Sequence, residues 1–327
     1  MRHLLLIVLA AAVDAGCGGS PAAGTPDATG GSDAGSGSAA SPDAAITPGS
    51  CSGLSAATGD SVWTVTSAGV PRVVSLHVPP SYDPTKPTAL VLNFHGFSSD
   101  STEEDLLSLM DPEADAKNFI VAYPLGTGTP PSWNAGVCCG TAQATGVDDI
   151  QFVRDLLDAA PAKLCVDPKR IYATGMSNGG FLSNEIGCDL ADRIAAIAPV
   201  AGVLGIPAAS CTPARPMPVM HFHGTLDALV PWAGSATLGF ISVDDSIAGW
   251  VARDHCTGAA VQTFSHGDAT CATHQPCAGG AEVTLCTITG GGHTWPGGTP
   301  VPSLGYTSTD ISATDQMWTF FAAHPLP

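Results

Sequence analysis

The chain has 327 residues, with 11 Lys and Arg against 29 Asp and Glu and a formal net charge of -18. This length is enough for one large α/β domain with a tail. The acidity argues against nucleic acid and anionic membrane surfaces as partners, because both repel a protein of the same sign.

The first residues have the pattern of a targeting segment. Arg2 supplies a positive charge, and residues 4–13 are an apolar run too short to span a bilayer permanently. The tripeptide Ala-Gly-Cys that ends at Cys17 resembles a bacterial lipoprotein cleavage site, with Cys17 as the lipidated residue. Asp14 stands where that pattern expects an apolar residue, so simple secretion is the alternative. Both interpretations predict a signal peptide over residues 1–17.

Residues 18–50 are almost entirely Gly, Ser, Ala, Pro, Thr and Asp. Such a segment cannot bury enough apolar surface to offset its ordering entropy, so we expect a disordered linker. It is either a stalk behind a lipid anchor or a tail with no anchoring role. The folded domain is expected to span residues 51–327.

Within that domain, short apolar runs alternate with segments of helical spacing. The predicted strands are residues 73–78, 89–94, 119–123, 170–174, 194–200, 218–222 and 283–288. The predicted helices are residues 102–116, 148–157, 178–190, 244–254 and 314–323. In the first helix, the apolar face is expected to comprise Leu106, Leu107 and Met110. This alternation predicts a single α/β domain, with a mostly parallel sheet and helices on both faces.

A His-Gly turn follows the strand at residues 89–94 directly. A turn of this kind commonly supplies one backbone N–H of an oxyanion hole, and the residue after a nucleophile supplies the other. We assign the two donors to Phe97 and Asn178, with Gly96 as the alternative to Phe97. His95 is expected to pack beneath the turn in a structural role.

Residues 175–180 read Gly-Met-Ser-Asn-Gly-Gly and follow the strand at residues 170–174. A serine between two glycines at the end of a buried strand is the pattern of a nucleophile elbow, because the glycines leave room for a very tight turn. The pattern alone is weak, and its alternative is a glycine-rich turn with a capping serine. Its meaning depends on whether an acid and a histidine follow.

Asp227 and His293 each come after a later predicted strand. The order Ser, Asp, His is that of an α/β-hydrolase, and open α/β sheets place their active sites at the carboxyl ends of strands. In this hypothesis Ser177 attacks, His293 is the base and Asp227 orients the imidazole. Competing acids are Asp148, Asp149 and Asp244. The alternating pair His221 and His223 is expected to consist of satisfied core or rim histidines.

Several segments together resemble the esterase family that includes polyhydroxybutyrate depolymerases and the related feruloyl and acetylxylan esterases. These segments are residues 132–140, 147–152, 175–180, 223–227 and 291–298. The resemblance covers roughly residues 55–325. It implies an α/β-hydrolase fold and a secreted serine carboxylesterase with Ser177, Asp227 and His293 as its triad.

The resemblance extends to the substrate only in outline. Trp133, Asn134 and Trp295 lie in the shared segments and are candidates to line the acyl or alcohol pocket, although a loop tryptophan often just covers the core. Feruloyl or acetyl esters of plant polysaccharide are the first expectation, and polyhydroxybutyrate is the second. The chemistry needs no cofactor and no metal, and we expect a monomer.

Two alternatives belong to other functional classes. A peptidase on the same fold would be expected to carry an added propeller or cap domain. A non-catalytic surface-binding protein could keep a hydrolase shell, but the complete Ser, Asp and His set argues against it.

Ten cysteines follow Cys17, and an even number in an exported protein predicts up to five disulfides. Proximity in the expected fold favours Cys188–Cys211 and Cys271–Cys277, with Cys256–Cys286 next. The remaining four, which then share two bonds, are Cys51, Cys138, Cys139 and Cys165. A zinc site is the alternative for the CxxHxxC segment at residues 271–277, with Cys286 as fourth ligand. An oxidising compartment favours disulfides there.

Overall fold

The computed structural model describes residues 51–327, so the expected signal peptide (residues 1–17), Cys17 and the linker (residues 18–50) lie outside the described residues. One sheet contains ten strands in the order β1-β2-β4-β3-β5-β6-β7-β10-β9-β8. The strands are β1 (Gly59–Ser67), β2 (Val70–Val78), β3 (Thr88–Phe94), β4 (Phe119–Pro124), β5 (Val166–Met176), β6 (Ala196–Val200), β7 (Val219–Gly224), β8 (Val261–His266), β9 (Ala269–His274) and β10 (Val283–Ile288).

The centre of the sheet is parallel. Strands β4, β3, β5, β6, β7 and β10 run in one direction. Every residue of β3, β4, β6 and β7 is buried, as expected for strands that are covered on both faces and read as continuous apolar runs. The predicted α/β architecture is therefore confirmed, and the carboxyl ends of these strands share one edge.

The two outer parts of the sheet are antiparallel. On one side, β1 and β2 form a hairpin whose two-residue turn is Ala68 and Gly69, both with positive φ. On the other side, β9 pairs with β10 and β8 with β9. The sequence did not predict β1, β8 or β9. Most of β8 is exposed, so that strand lacks the apolar alternation by which strands are recognised.

The helices are α1 (Ser101–Ser108), α2 (Met110–Lys117), α3 (Gly140–Thr145), α4 (Asp149–Ala159), α5 (Asn178–Asp189), α6 (Val243–Arg253) and α7 (Ala313–Ala323). Helices α4, α5 and α6 bury apolar side chains in the core on one face of the sheet. Helices α2 and α7 do the same on the other face. In residues 51–327 no helix has the length and apolar character needed to cross a bilayer.

The helix predicted over residues 102–116 is two helices. The chain turns between α1 and α2 at Leu109, which has a left-handed backbone with φ of 51°. The expected apolar face is wrong for Leu106, which is exposed, while Met110 is buried as expected. The buried side of α1 instead consists of Ser101, Glu104 and Ser108. Burial raises the pKa of the Glu104 carboxyl well above its usual value, which favours the neutral acid there.

All ten cysteines of residues 51–327 form disulfides. Cys188–Cys211 was predicted, and the four cysteines left to share two bonds pair as Cys51–Cys165 and Cys138–Cys139.

The other two predicted bonds, Cys271–Cys277 and Cys256–Cys286, are wrong. The observed pairs are Cys256–Cys277 and Cys271–Cys286. Cys271 lies directly opposite Cys286 in the β9–β10 ladder, so the missed strand β9 accounts for the error. These bonds also occupy the thiols of the alternative zinc site.

Candidate active site

Ser177 occupies the turn between β5 and α5. Its backbone has φ of 56° and ψ of −121°, a conformation that L-residues rarely adopt and that costs about 1–3 kcal/mol. Its N–H donates to the Val200 carbonyl at 2.9 Å, and its own carbonyl accepts from the N–H of Phe181 at 2.9 Å. The surrounding backbone therefore holds the serine in the strained turn, with its side chain half-buried.

Glycines make this turn sterically feasible. A Cβ on Gly175 or Gly179 would overlap the carbonyl oxygen of Phe94, the last residue of β3. Gly96 lies against the nucleophile candidate itself, because a Cβ there would be 3.4 Å from the Ser177 Cβ. The structure thus brings the His-Gly turn and the elbow into direct contact.

Asp227 lies in the turn after β7, almost fully buried. Its Oδ1 accepts from the N–H groups of Leu229 and Val230 at 2.9 and 2.8 Å. Its Oδ2 accepts from His293 Nδ1 at 2.7 Å. Burial acts to raise the pKa of the Asp227 carboxyl. The hydrogen bond and charge of His293, with smaller contributions from His223 and the Val230 N–H, outweigh it, so the pKa lies below its usual value. The carboxylate is therefore the stable form.

His293 is held by backbone bonds in the loop after β10. Its N–H donates to the Leu304 carbonyl at 2.8 Å, and the N–H of Gly292 donates to the Tyr306 carbonyl at 2.9 Å. Because the Asp227 carboxylate can only accept, His293 Nδ1 carries the proton, and in the neutral form of the ring Nε2 is left as an acceptor. This is the tautomer that a general base requires.

Among the described residues, Ser177 Oγ makes no hydrogen bond to His293. The two residues follow β5 and β10 at the same edge of the sheet, with β6 and β7 between those strands. In enzymes without bound substrate, the contact between nucleophile and base is often long and tightens in the substrate complex. Ser177 and His293 therefore remain a candidate pair.

His95 has the expected structural role. Its Nε2 accepts from the Gly126 N–H at 2.9 Å, so its Nδ1 donates to the Gly96 carbonyl at 2.7 Å. Burial lowers the pKa of His95 to about 4, against smaller opposing contributions from Gly96 and Asp100. The neutral imidazole therefore ties the His-Gly turn to the loop at Gly126.

Trp133 connects the two predicted oxyanion donors through its neighbours. Its backbone N–H donates to Asn178 Oδ1 at 2.7 Å, and Asn178 Nδ2 donates to its carbonyl at 3.0 Å. Its indole Nε1 donates to the His95 carbonyl at 2.9 Å. The side chain is completely buried, so the indole does not line an open pocket as expected from the sequence. Trp133 links Asn178 to His95 at the start of the His-Gly turn.

The other two predicted substrate contacts also support loops. Trp295 is completely buried, and its Nε1 donates to Thr314 Oγ1 at 3.0 Å. Asn134 is half-buried, its N–H donates to Asp149 Oδ2 at 2.8 Å, and its Nδ2 donates to the Val147 carbonyl at 2.9 Å. The buried indole of Trp295 thus faces the core rather than a substrate.

The competing acids all have other partners. Asp149 pairs with the buried Arg72 at 2.8 Å, Asp148 caps α4, and Asp244 accepts from Trp232 Nε1 at 3.3 Å. These partners leave Asp227 as the acid that contacts His293.

An open cavity of about 510 Å³ lies beside Asp227. Its walls are Thr225, Leu226, Asp227, Pro231, Trp232 and Ala233. The Leu226 side chain is 71% exposed there. Sequence reasoning missed Leu226 and Trp232 as wall residues, although an apolar residue next to the acid was a usable signal.

A set of side chains with metal-binding potential lies on another part of the sheet. Ligand atoms of Asp60, His77 and Asp111 lie within 4.8 Å of one another. His77 is hydrogen-bonded to Asp60 at 2.8 Å and to Asp115 at 2.9 Å. This set shares no residue with Ser177, Asp227 and His293.

No protein-family model matches the chain. Feruloyl esterase B of Piromyces equi is 36% identical over 234 residues, which are 68% of this chain and 42% of that protein. The bifunctional acetylxylan esterase/xylanase XynS20E of Neocallimastix patriciarum is 28% identical over 232 residues, 69% of this chain and 31% of that protein. The chain thus spans less than half the length of either relative.

A solved structure supports the fold assignment. The acetyl xylan esterase of Aspergillus awamori has a TM-score of 0.57 at 13% identity, and the match covers 80% of this chain and 99% of that one. The fold is therefore that of the α/β-hydrolases, in agreement with the sheet and the elbow.

Proposed function

The chain belongs to the esterase family that includes feruloyl and acetylxylan esterases, and from this premise we propose that it hydrolyses carboxylic esters with Ser177 as nucleophile. The observation that carries the proposal is the buried hydrogen bond of 2.7 Å between Asp227 and His293, at the sheet edge that also holds the serine elbow. An orienting acid, a base in the right tautomer and a strained serine are the parts that acyl transfer needs.

The proposed reaction has two halves. Ser177 Oγ attacks the ester carbonyl carbon while His293 Nε2 takes the hydroxyl proton, and Asp227 stabilises the imidazolium. His293 then gives that proton to the departing alkoxide, leaving an acyl-enzyme and a free alcohol. In the second half, His293 removes a proton from water, the hydroxide attacks the acyl carbon, and the acid leaves as Ser177 regains its proton.

We assign the oxyanion hole to the backbone N–H groups of Phe97 and Asn178. Asn178 is the first residue of α5, so its N–H has no acceptor within the helix and lies at the positive end of the helix dipole. The contact of Gly96 with Ser177 supports the other donor, because it brings the His-Gly turn to the nucleophile. Loss of one such donor typically costs about 3 kcal/mol of transition-state stabilisation.

Feruloyl or acetyl esters carried by xylan are the proposed substrates. The names of the two relatives support this class, and the cavity beside Asp227 offers apolar walls at Leu226, Pro231 and Trp232. Aromatic and apolar walls of this kind suit an aryl acyl group or the face of a sugar ring.

We further propose that the enzyme acts outside the cytoplasm as a monomer, either free or held at the cell envelope by a lipid on Cys17. The five disulfides support an oxidising compartment. The intact mass of the exported protein distinguishes the free form from the lipidated form, and light scattering measures its oligomeric state.

Labelling with a fluorophosphonate tests the nucleophile. We expect the native protein to be labelled, Ser177→Ala to be unlabelled, and the exposed Ser210→Ala to be labelled like the native protein. Absence of labelling in the native protein, or equal labelling in Ser177→Ala, would refute the esterase proposal. Hydrolysis rates on methyl ferulate, acetylated xylan and polyhydroxybutyrate then test the substrate class, and a preference for polyhydroxybutyrate would contradict it.

A further inference from the structure

We infer that His223 is a positioning residue for Asp227, and that His221 selects the tautomer in which His223 acts. This inference rests on the proposed function, because it assigns a role behind the proposed triad. Neither histidine takes part in the proposed reaction, and the sequence predicted that both are satisfied core or rim residues.

The two histidines lie side by side in the interior. They alternate along β7, so both point to the same face of the sheet. Their rings are stacked with centroids 5.2 Å apart, and each residue is about 1% exposed. His221 Nε2 lies 3.0 Å from His223 Nδ1.

The far nitrogen of His223 faces the acid turn. His223 Nε2 lies 2.8 Å from the Val230 carbonyl oxygen and 3.5 Å from Asp227 Oδ2. Asp227 Oδ2 is the same oxygen that accepts from His293. One imidazole therefore contacts both the turn and the carboxylate that orients the base.

The proton positions follow from the acceptors. The Val230 carbonyl can only accept, so His223 Nε2 must carry a proton. Burial lowers the pKa of His223, against Asp227 and Val230, which raise it, while His293 lowers it further. The ring is therefore neutral, its Nδ1 has a lone pair, and His221 Nε2 must be the donor between the two rings.

This direction of donation has a consequence for the acid. With the opposite tautomer, His223 would present a lone pair to the Val230 carbonyl and the Asp227 carboxylate, and both contacts would be repulsive. The N–H from His221 excludes that tautomer. The ionisable groups that face His223 are His221 on the same strand, Asp227 in the following turn and His293 after β10.

Val230 links the His223 imidazole to the Asp227 carboxylate. Its N–H donates to Asp227 Oδ1, and its carbonyl accepts from His223. The residue that closes the turn around the carboxylate is thus held at both ends. Without the imidazole N–H, the turn is free to shift, and Asp227 Oδ2 loses its fixed position opposite His293.

His223→Phe removes the N–H and keeps a ring. We expect kcat on methyl ferulate to fall at least tenfold with KM within about twofold, because the side chain has no exposure to substrate. We also expect the acid limb of the kcat/KM profile to move to lower pH, since a displaced carboxylate stabilises the imidazolium of His293 less. His221→Phe should show a smaller fall in kcat and a smaller shift of the acid limb in the same direction.

His223→Gln is the conservative variant, because its amide N–H reaches the place of Nε2. It should recover kcat to within about threefold of the native value. The half-buried His274→Gln, on β9, is the matched control and should leave kcat and the acid limb unchanged. The proton NMR signal of the His293 Nδ1–H, read far downfield, provides a readout that needs no turnover, and it should move in His223→Phe but not in His223→Gln.

The outcomes separate the two proposals. If the native protein is not labelled by a fluorophosphonate, the proposed function fails. If it is labelled but folded His223→Phe keeps the native kcat and acid limb, or shifts the limb to higher pH, the positioning role is refuted alone. Should His223→Phe not fold, an unchanged kcat in His221→Phe, or failure of folded His223→Gln to exceed a tenth of native kcat, would refute it.

Discussion

The two halves of the site are built from different materials. Around Ser177, the geometry is set by the backbone. Glycines let the Phe94 carbonyl approach the elbow, and main-chain hydrogen bonds hold the serine in a turn with positive φ. Around Asp227 and His293, the contacts depend on single side-chain atoms. Asp227 Oδ1 accepts from two backbone N–H groups, and Asp227 Oδ2 accepts from His293 Nδ1.

This difference determines how each half should fail. In the backbone-built half, an added methyl group displaces a chain segment, so activity is lost through folding. In the half built from side chains, one atom can be exchanged without changing the fold, so activity is lost through chemistry alone.

The largest effect is expected in the half built from side chains. Asp227→Asn keeps the shape of the acid but offers an amide in place of a carboxylate oxygen, so the wrong imidazole tautomer is favoured. We expect kcat/KM to fall about 10³–10⁴-fold with little change in the melting temperature. The exposed Asp192→Asn is the control and should retain native kcat/KM. A loss below tenfold in Asp227→Asn would remove Asp227 from the triad.

Gly179→Ala should break the other half through the fold. The new methyl group would overlap the Phe94 carbonyl oxygen, which is backbone and cannot rotate away. We expect a loss of about 4 kcal/mol in the free energy of unfolding, measured by urea titration. Gly59→Ala is the control, because it has positive φ but open space around it, and it should cost only about 1 kcal/mol. Equal losses in both would contradict the collision argument.

A buried imidazole adds a pH dependence to the backbone-built half. The folded pKa of His95 is about 4, below the unfolded value of about 6.5, so the unfolded chain binds the proton first as pH falls. Stability contributed by His95 is therefore present at pH 7 and is lost between about pH 6.5 and 4. We expect about 2 kcal/mol of this loss between pH 7 and 5.

Urea unfolding at those two pH values measures the effect. His95→Gln should lack this part of the slope, while the exposed His255→Gln should keep the native slope. Identical slopes in His95→Gln and the native protein would show that His95 is not the group responsible.

The smallest effect is expected at a side-chain contact of the backbone-built half. Trp133→Phe removes the N–H that the indole donates to the His95 carbonyl, and we expect kcat to fall about tenfold with KM unchanged. Trp250→Phe is the matched control, because it also loses a buried indole hydrogen bond, but one to Asn184 in α5 rather than to the His-Gly turn. It should lose similar stability and no kcat. Equal kcat values in the two variants would contradict the linking role of Trp133.

Sequence was most informative where function is tied to strand ends. The elbow, the acid and the histidine each follow a strand, and strand direction alone places such residues along one edge. The structure then brings Asp227 and His293 to 2.7 Å although 66 residues separate them. Residue types and chain order are enough for that prediction, because a parallel sheet aligns its carboxyl ends.

Sequence was least informative where burial depends on neighbours distant in the chain. Trp133 and Trp295 read as loop residues, yet both are in the core. Trp133 packs against Phe94 of β3 and Phe152 of α4, and Trp295 is hydrogen-bonded to α7. Strand β9 was missed, and with it the pairing of Cys271 and Cys286. In α1, Glu104 is buried and Leu106 is exposed, the reverse of what their side chains favour in isolation.

The left-handed backbone of Ser177 has a consequence for how such a protein changes over generations. Glycine would adopt that conformation without strain, so the residue that is most stable at this position has no hydroxyl. Selection for a stable fold therefore favours glycine at position 177, whereas selection for turnover favours serine. A lineage released from its substrate would be expected to lose the serine early and gain thermal tolerance as it does so.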